Sequence, residues 1–346
     1  MNTIDLSKRQ LKILYAIINN YIKTGEPMSS KNLCNLLDFS VSPATIRNEM
    51  SELTDLGFLE QPHTSAARIP SCYGYRFYIN ELMPKTNISS KSQNIIDQNL
   101  DLDLKVFTPE EILVSASNLL ASLSNLTVMS AIYTQKTSTI KSIQLIKTSR
   151  TSIMLILTTS TGLVKTKIFK CDYEVNSDLL SLLHDNLNKK FVGVPLSKIT
   201  PGFIQSVAAS LGEVYLLIPN ALLAIFEAAK DATKLKVNVA GQANLLLEQD
   251  EIYNSIKIIQ LLNSSDYIEN LLSNIHSTTI SIGEENVYEE LFHNSIIKTP
   301  CFFKGKLLAS LAIIGPIRLD YCNLIANIEY IASSVSNLLG NMLDFE

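Results

Sequence analysis

Residues 28–61, MSSKNLCNLLDFSVSPATIRNEMSELTDLGFLEQ, decide how the first part of this chain folds. Ser29 or Ser30 can cap a first short helix whose apolar residues are Leu33, Leu36 and Leu37. A turn through Asp38-Phe39-Ser40-Val41 comes next, with Phe39 and Val41 able to plug it. Ser42 supplies a favoured N-cap, and Pro43 is preorganised for the first helical position. In the helix so opened, Ile46, Met50 and Leu53 recur at spacings of four and three and share one buried face. Gly57 stands where a left-handed residue ends a helix, and Phe58 can fold back on the last turn. Residues 58–61 then read as strand.

With Ile46, Met50 and Leu53 turned inward, the opposite surface carries Ala44, Thr45, Asn48 and Ser51, flanked by Arg47. These side chains suit the major groove: Asn can read adenine, Arg can read guanine, and Thr or Ala can touch a thymine methyl. An ordinary helical hairpin with a polar outer face fits the same spacing. The segment after the helix favours DNA. Residues 62–70, PHTSAARIP, form a loop bounded by prolines and then an extended piece. A strand, a loop and a return strand after such a helix make a wing. Arg68 carries a fixed charge on a planar fork and suits phosphate; His63, taken alone, reads as a solvent-exposed loop histidine. The candidate DNA-binding residues are Ser30, Lys31, Ser42, Ala44, Thr45, Arg47, Asn48, His63, Thr64 and Arg68.

The runs SPATIRNEMSELTDLGFLEQ (42–61) and HTSAARIPSCYGYRFYINEL (63–82) resemble the heat-inducible transcription repressor family that binds the CIRCE operator, the HrcA family. So do LSKRQLKILYAIINNYIKTGEPMSSKNL (6–33) and SIGEENVYEELFHNSIIKTPCFFKGKLLASLAIIGPIRLDY (281–321), so the resemblance spans nearly the whole chain. Two departures stand out. Where the family has a glycine before the wing Arg-Ile-Pro, this chain has Ala67; where it has an acidic-basic pair after Ser71, this chain has Cys72 and Tyr73. If that glycine takes a positive φ, Ala67 strains or reshapes the wing. The resemblance implies a winged-helix domain joined to a GAF-like domain that carries an inserted dimerising domain. It also implies a homodimer on an inverted-repeat operator ahead of chaperone genes such as the groE and dnaK operons, with the GroE chaperonin promoting the active form.

At 346 residues the chain has room for two or three domains. Charged residues make up only 18% and apolar ones 46%, with mean hydropathy +0.17, which points to a large core or an apolar face buried in an oligomer. A net charge of −4 argues against nucleic acid, but four of the six arginines (Arg9, Arg47, Arg68, Arg76) lie in the first quarter. Glu49, Glu52 and Asp55 offset them locally, so the steering field is modest and tight binding needs two copies of the domain. Five cysteines without a C-x-x-C read as reduced, intracellular thiols. No signal peptide is expected, because residues 1–5 lead straight into a capped helix. No run reaches the ~18 apolar residues of a membrane span. These features place the chain in the bacterial cytoplasm, on the nucleoid when bound to operator, with no membrane partner.

Along the chain, Ser7 to Gln10 form a capping-box pattern opening a helix with Leu11, Leu14, Ile18 and Tyr21 on one face. A short closing helix over 74–82 completes the winged unit, its aromatic residues read as packing. Residues 84–91 are Ser/Asn-rich linker, and a helix is possible as far as 106. Thr108-Pro109-Glu110-Glu111 starts a helix to about 125. Strand-like runs lie at 127–133, 140–147, 152–158 and 163–170, the last two joined at Thr161-Gly162. From 172 to 274 the pattern is helical (177–187, 202–211, 220–230, 250–262, 265–272), with an extended piece at 234–239. Strands resume at 278–282, 294–299 and 307–314, before a last helix over 321–343.

The expected fold class is therefore α+β. Residues 1–83 form a winged helix-turn-helix domain and 84–107 a linker. Residues 108–171 and 275–346 form the GAF-like domain, and 172–274 the inserted, largely helical dimerising domain.

No chemistry-bearing constellation emerges. His63, His184, His276 and His293 are isolated, with no zinc spacing. There is no G-x-S-x-G, Walker or G-x-G-x-x-G pattern. The 282–286 loop has acidic groups without an evident partner set, and Gly315-Pro316 reads as a turn after a strand. No cofactor, metal or enzymatic activity is expected. The function expected is a dimeric repressor. A ligand sensor, with a GAF-like pocket and the winged domain as its output, is the alternative; strict dependence of DNA binding on a small molecule would favour it.

Overall fold

The computed structural model describes residues 6–39, 41–62, 67–100, 108–133, 138–211, 219–247, 252–273 and 275–342. Helix α1 (Lys8–Thr24) opens with the expected two-way cap: Ser7 Oγ accepts the Gln10 N–H at 3.2 Å, and Gln10 Oε1 accepts the Ser7 N–H at 2.9 Å. Its buried residues are Ile13, Leu14, Ile17 and Ile18, so the inward stripe is rotated from the expected one, and Leu11 and Tyr21 are only half-buried. The rotation reflects the number of elements that α1 packs against: two helices, the wing's return strand and the closing helix.

Ser29 caps α2 (Ser30–Leu36), accepting the Asn32 N–H at 3.2 Å. Only Leu33 of its apolar residues is fully buried; Leu37 is half-buried and Leu36 is exposed, because a two-turn helix meets its neighbours along one short line. Ser42 caps α3 (Pro43–Asp55) through the Thr45 N–H at 3.1 Å, and Ile46, Met50 and Leu53 are buried as expected. Gly57 has φ +83°, donates to Thr54 O at 2.9 Å, and lets the Phe58 N–H reach Leu53 O at 2.9 Å. This pair of bonds is the Schellman ending, and it swings the fully buried Phe58 under the helix.

The wing pairs β1 (Leu59–Glu60) antiparallel with β2 (Ile69–Pro70). Two backbone bonds between Met28 and Arg68, at 2.8 and 2.9 Å, tie the return strand to the chain before α2. Asn125 and Lys304 are the described non-glycine residues recorded with positive φ. Closure comes from α4 (Cys72–Phe77) and one wider turn over Tyr78–Leu82. The Phe58 ring stacks on Tyr73 at 4.8 Å and meets Phe77 edge-on at 5.0 Å, so this cluster is packing.

Within the expected linker, α5 (Ser90–Leu100) is helical and buries Ile96 and Leu100. Helix α6 (Pro109–Ser124) starts on the Thr108 capping box. The chain forms two compact units: Met1–Ala131 with Val237–Leu338, and Ile132–Lys236 with Leu339–Glu346.

The C-terminal part of the first unit is built on a five-stranded sheet. Its strands are β3 (Thr127–Ile132), β7 (Lys236–Ala240), β8 (Thr279–Ile282), β9 (Asn294–Phe303) and β10 (Lys306–Pro316), in the order β7-β3-β10-β9-β8. Between β7 and β8 lie α10 (Asn244–Leu247), α11 (Ile252–Leu262) and α12 (Ser265–Leu272). Helix α13 (Tyr321–Met342) comes after β10. Residues of opposite parity on β9 touch helices on opposite sides: Ser295 Oγ bonds the Tyr321 hydroxyl at 2.6 Å, while Lys298 Nζ reaches Leu271 O of α12 at 3.4 Å. The sheet is covered on both faces, and Leu308 to Gly315 are buried without a break. Gly315-Pro316 ends β10 and is no turn.

The second unit holds a three-stranded antiparallel sheet, β4 (Ile140–Lys147), β5 (Ser152–Thr159) and β6 (Val164–Lys170). Three helices, α7 (Ser177–Phe191), α8 (Pro201–Leu211) and α9 (Pro219–Thr233), share its core with Ile143, Ile153, Leu155 and Leu157.

This differs from the expected division at 171/172. The chain leaves the larger sheet on β3 and returns on its neighbour β7, so the segment between them, strands included, forms the separate unit. The physical cue is periodicity: β5 alternates half-buried and buried residues, whereas β10 is buried along nearly its whole length.

Candidate nucleic-acid interface

Helix α3 divides its residues cleanly. On the inner side, the Glu49 carboxylate is 5% exposed and accepts the Arg9 Nε–H at 2.7 Å, with a second Arg9 nitrogen on the same oxygen. Glu52 Oε2 accepts from Gln10 Nε2 at 2.9 Å. Two of the three acidic residues expected to offset the local arginines are therefore turned toward α1. Glu49 lies three residues after Ile46 and four before Leu53, and that spacing alone places it on the inward edge.

The outer side carries Ala44, Arg47, Asn48 and Ser51, all exposed, at spacings of three, one and three. The exposed guanidinium of Arg47 and amide of Asn48 suit groove reading. Ser42 and Thr45 are engaged in the cap: their hydroxyls lie 2.9 Å apart, beside the Ser42 Oγ bond to the Thr45 N–H. Ser30 is the half-buried first residue of α2, and Lys31 beside it is exposed. Lys12 reaches both Asp38 oxygens, at 3.0 and 3.1 Å, across the turn between α2 and α3. That hydrogen bond, with the lysine's charge, holds the Asp38 carboxyl below its ordinary range despite an opposing contribution from desolvation.

Arg68 is half-buried at the base of the wing. Its Nε donates to Thr54 Oγ1 at 3.0 Å, and Thr54 in turn donates to Met50 O at 2.7 Å. The guanidinium is thus drawn toward the last turn of α3. His63 and Thr64 lie outside the described residues. Among the described residues no cluster of three or more His, Cys, Asp or Glu could hold a metal ion, and no helix is long and apolar enough to cross a membrane.

Comparison with known proteins agrees with this geometry. A family model described as the winged helix-turn-helix transcription repressor, HrcA DNA-binding, matches residues 5–70. Another, described as the HrcA protein C terminal domain, matches residues 110–325. The chain is 32% identical over 343 residues to a heat-inducible transcription repressor HrcA of Clostridium botulinum (strain Eklund 17B / Type B), covering 98% of this chain and 99% of that one. It is 31% identical over 338 residues to the protein of the same name from Clostridium perfringens (strain 13 / Type A), covering 97% and 99%. A crystal structure of a hypothetical protein at 2.2 Å resolution shares the fold, with a TM-score of 0.65 and 24% identity over 98% of this chain and 100% of that one.

Proposed function

The chain belongs to the HrcA family of heat-inducible transcription repressors, DNA-binding proteins and not enzymes, and from that premise we propose that it represses chaperone operons as a cytoplasmic homodimer on a CIRCE-type inverted repeat. The observation that carries this reading is the exposed stripe of Ala44, Arg47, Asn48 and Ser51 on a capped helix beside a wing. Arg47 and Asn48 read base edges, Ala44 and Thr45 line the groove, and Ser30, Lys31, Ser42, His63, Thr64 and Arg68 position the backbone.

The unit built on β4–β6 is the dimerising insertion, and the five-stranded part is the GAF-like domain. What supports the dimer is an uncovered apolar face. On the side of the small sheet away from its helices stand Ile146, Met154, Ile156, Val164 and Ile168, and Ile168 is 68% exposed. A second copy laid on this face removes it from water, and twofold pairing matches an inverted repeat. GroE chaperonin promotes the active form.

The test is footprinting on chaperone promoters without added ligand. Protection of both arms of an inverted repeat is the expected result; protection only with a small molecule present would replace the repressor reading by a ligand sensor. Refolding the denatured protein with and without chaperonin and ATP tests the GroE step, and spontaneous recovery of full operator binding would remove it.

A further inference from the structure

Two stretches more than two hundred residues apart meet on one seam. Arg76 of α4 donates from Nε to Glu285 Oε1 at 2.8 Å and from a terminal nitrogen to Ile280 O at 2.7 Å, with a further contact to Glu285 Oε2. The Ile282 N–H donates to the same Glu285 Oε2 at 2.9 Å. Arg318 Nη1 donates to Ile22 O, in the last turn of α1, at 3.1 Å. The Tyr75 and Tyr321 rings lie 5.9 Å apart in the same seam. Gly283 has φ +56°, and a Cβ there would stand 2.7 Å from Cys72 Sγ, so only glycine allows this approach.

Helix α1 carries this seam to the recognition helix. At its C-terminal end it is held by Arg318, and at its N-terminal end Arg9 and Gln10 grip Glu49 and Glu52 of α3. Seventeen residues of α-helix make a strut of about 25 Å. The exposed stripe of α3 stays open with the seam closed.

We propose that Arg76 and Arg318 form an orientation clamp. Through α1 and α4 they fix the recognition helix against the C-terminal part of the same unit, and this sets the half-site spacing that a dimer accepts. The clamp rests on the dimeric repressor reading. A winged unit swinging on its tether pays for its own alignment at every second-site binding event; a docked one does not. Arg76 and Arg318 are positioning residues, since neither lies on the reading stripe.

The experiment uses the full chain with Arg76→Ala, Glu285→Gln, and the swap of Arg76→Glu with Glu285→Arg. Each is titrated with a duplex holding one half-site, with the natural inverted repeat, and with a repeat lengthened by about half a helical turn, roughly five base pairs. The parent prefers the natural spacing. Arg76→Ala is expected to keep the parent's half-site affinity, to lose about tenfold or more on the natural repeat, and to lose its preference between the two spacings. Glu285→Gln, which preserves side-chain shape, moves the same way should Arg76→Ala fail to fold, and the swap restores part of the spacing preference. Unchanged spacing preference in both single variants overturns the clamp. An equal loss on the half-site also overturns it, since the winged unit itself is then damaged. A parent that binds one half-site as tightly as the repeat removes the dimer reading, and the clamp with it.

Discussion

Two surfaces of this chain are left open for opposite reasons. The outer stripe of α3 is small and polar: Ala44, Arg47, Asn48 and Ser51. The outer face of β4–β6 carries apolar, largely β-branched residues, Ile146, Ile156, Val164 and Ile168 with Met154, interleaved with Ser142, Gln144, Thr158 and Thr166. Each lies on an element whose other side is packed in a core. On α3 the donors that remain exposed can be satisfied only by water or by another polar surface, so the stripe suits a groove of base edges and phosphates. On the sheet the exposed apolar side chains present area to remove from water, so the face suits a protein surface. A nucleic-acid interface and a protein interface are thus distinguished by the apolar area that α3's outer side chains lack and the sheet's carry.

The largest effect expected separates the two sides of the small sheet. Leu155 is fully buried on the helix side of β5, and Leu155→Ala should destabilise this unit by about 2–5 kcal/mol in denaturant titration. Ile168→Glu on the open side should shift stability of the isolated fold by no more than about 0.5 kcal/mol. Its effect should appear in sedimentation, as a shift from dimer to monomer, and in a loss of operator affinity. A dimer that persists in Ile168→Glu would mean that this face is not the interface.

Much of this contrast is legible in the sequence. The caps at Ser7, Ser29, Ser42 and Thr108, the Gly57 ending and the inward set Ile46, Met50 and Leu53 obey local rules, because each depends on residues within one or two turns. Which sheet a strand joins is not local. The runs at 140–147, 152–158 and 163–170 read as strands and are strands, but their pairing depends on distant residues, and they close on each other and on α7–α9. The partner of Glu285 is hidden for the same reason: Arg76 lies 209 positions away. The acidic residues of α3 are a lesser miss, since Glu49 falls on the inward side of the helix by spacing alone.

On α3 the comparison sharpens into a reading test. Arg47→Ala and Asn48→Ala should each cost about 1–3 kcal/mol per half-site and relax specificity at one operator position, while thermal melting of the protein stays within error of the parent. Binding of both variants at parental strength would show that this stripe does not read DNA.

The inner side of the same helix gives the next effect. Arg9→Ala leaves the buried Glu49 carboxylate without its guanidinium and should cost about 1–3 kcal/mol of stability. Lys12→Ala removes a pair that lies in solvent, and no measurable change in melting is expected. Comparable losses in the two variants would mean that burial of Glu49 does not set the cost.

The smallest effect concerns Ala67, where the resemblance implies glycine. A strained alanine is relieved by glycine, so strain predicts that Ala67→Gly stabilises. The two backbone bonds between Met28 and Arg68 beside it have ordinary lengths, 2.8 and 2.9 Å, so an unstrained alanine is the expectation: glycine then brings no relief and adds only freedom to the unfolded chain. Ala67→Gly should therefore destabilise the wing by about 0.4–1 kcal/mol. The measurement is hydrogen exchange at the Arg68 and Met28 amides, whose reciprocal bonds at 2.9 and 2.8 Å report directly on the return strand. Faster exchange at both amides is the expected result, and slower exchange would show that alanine at this position holds the wing under strain.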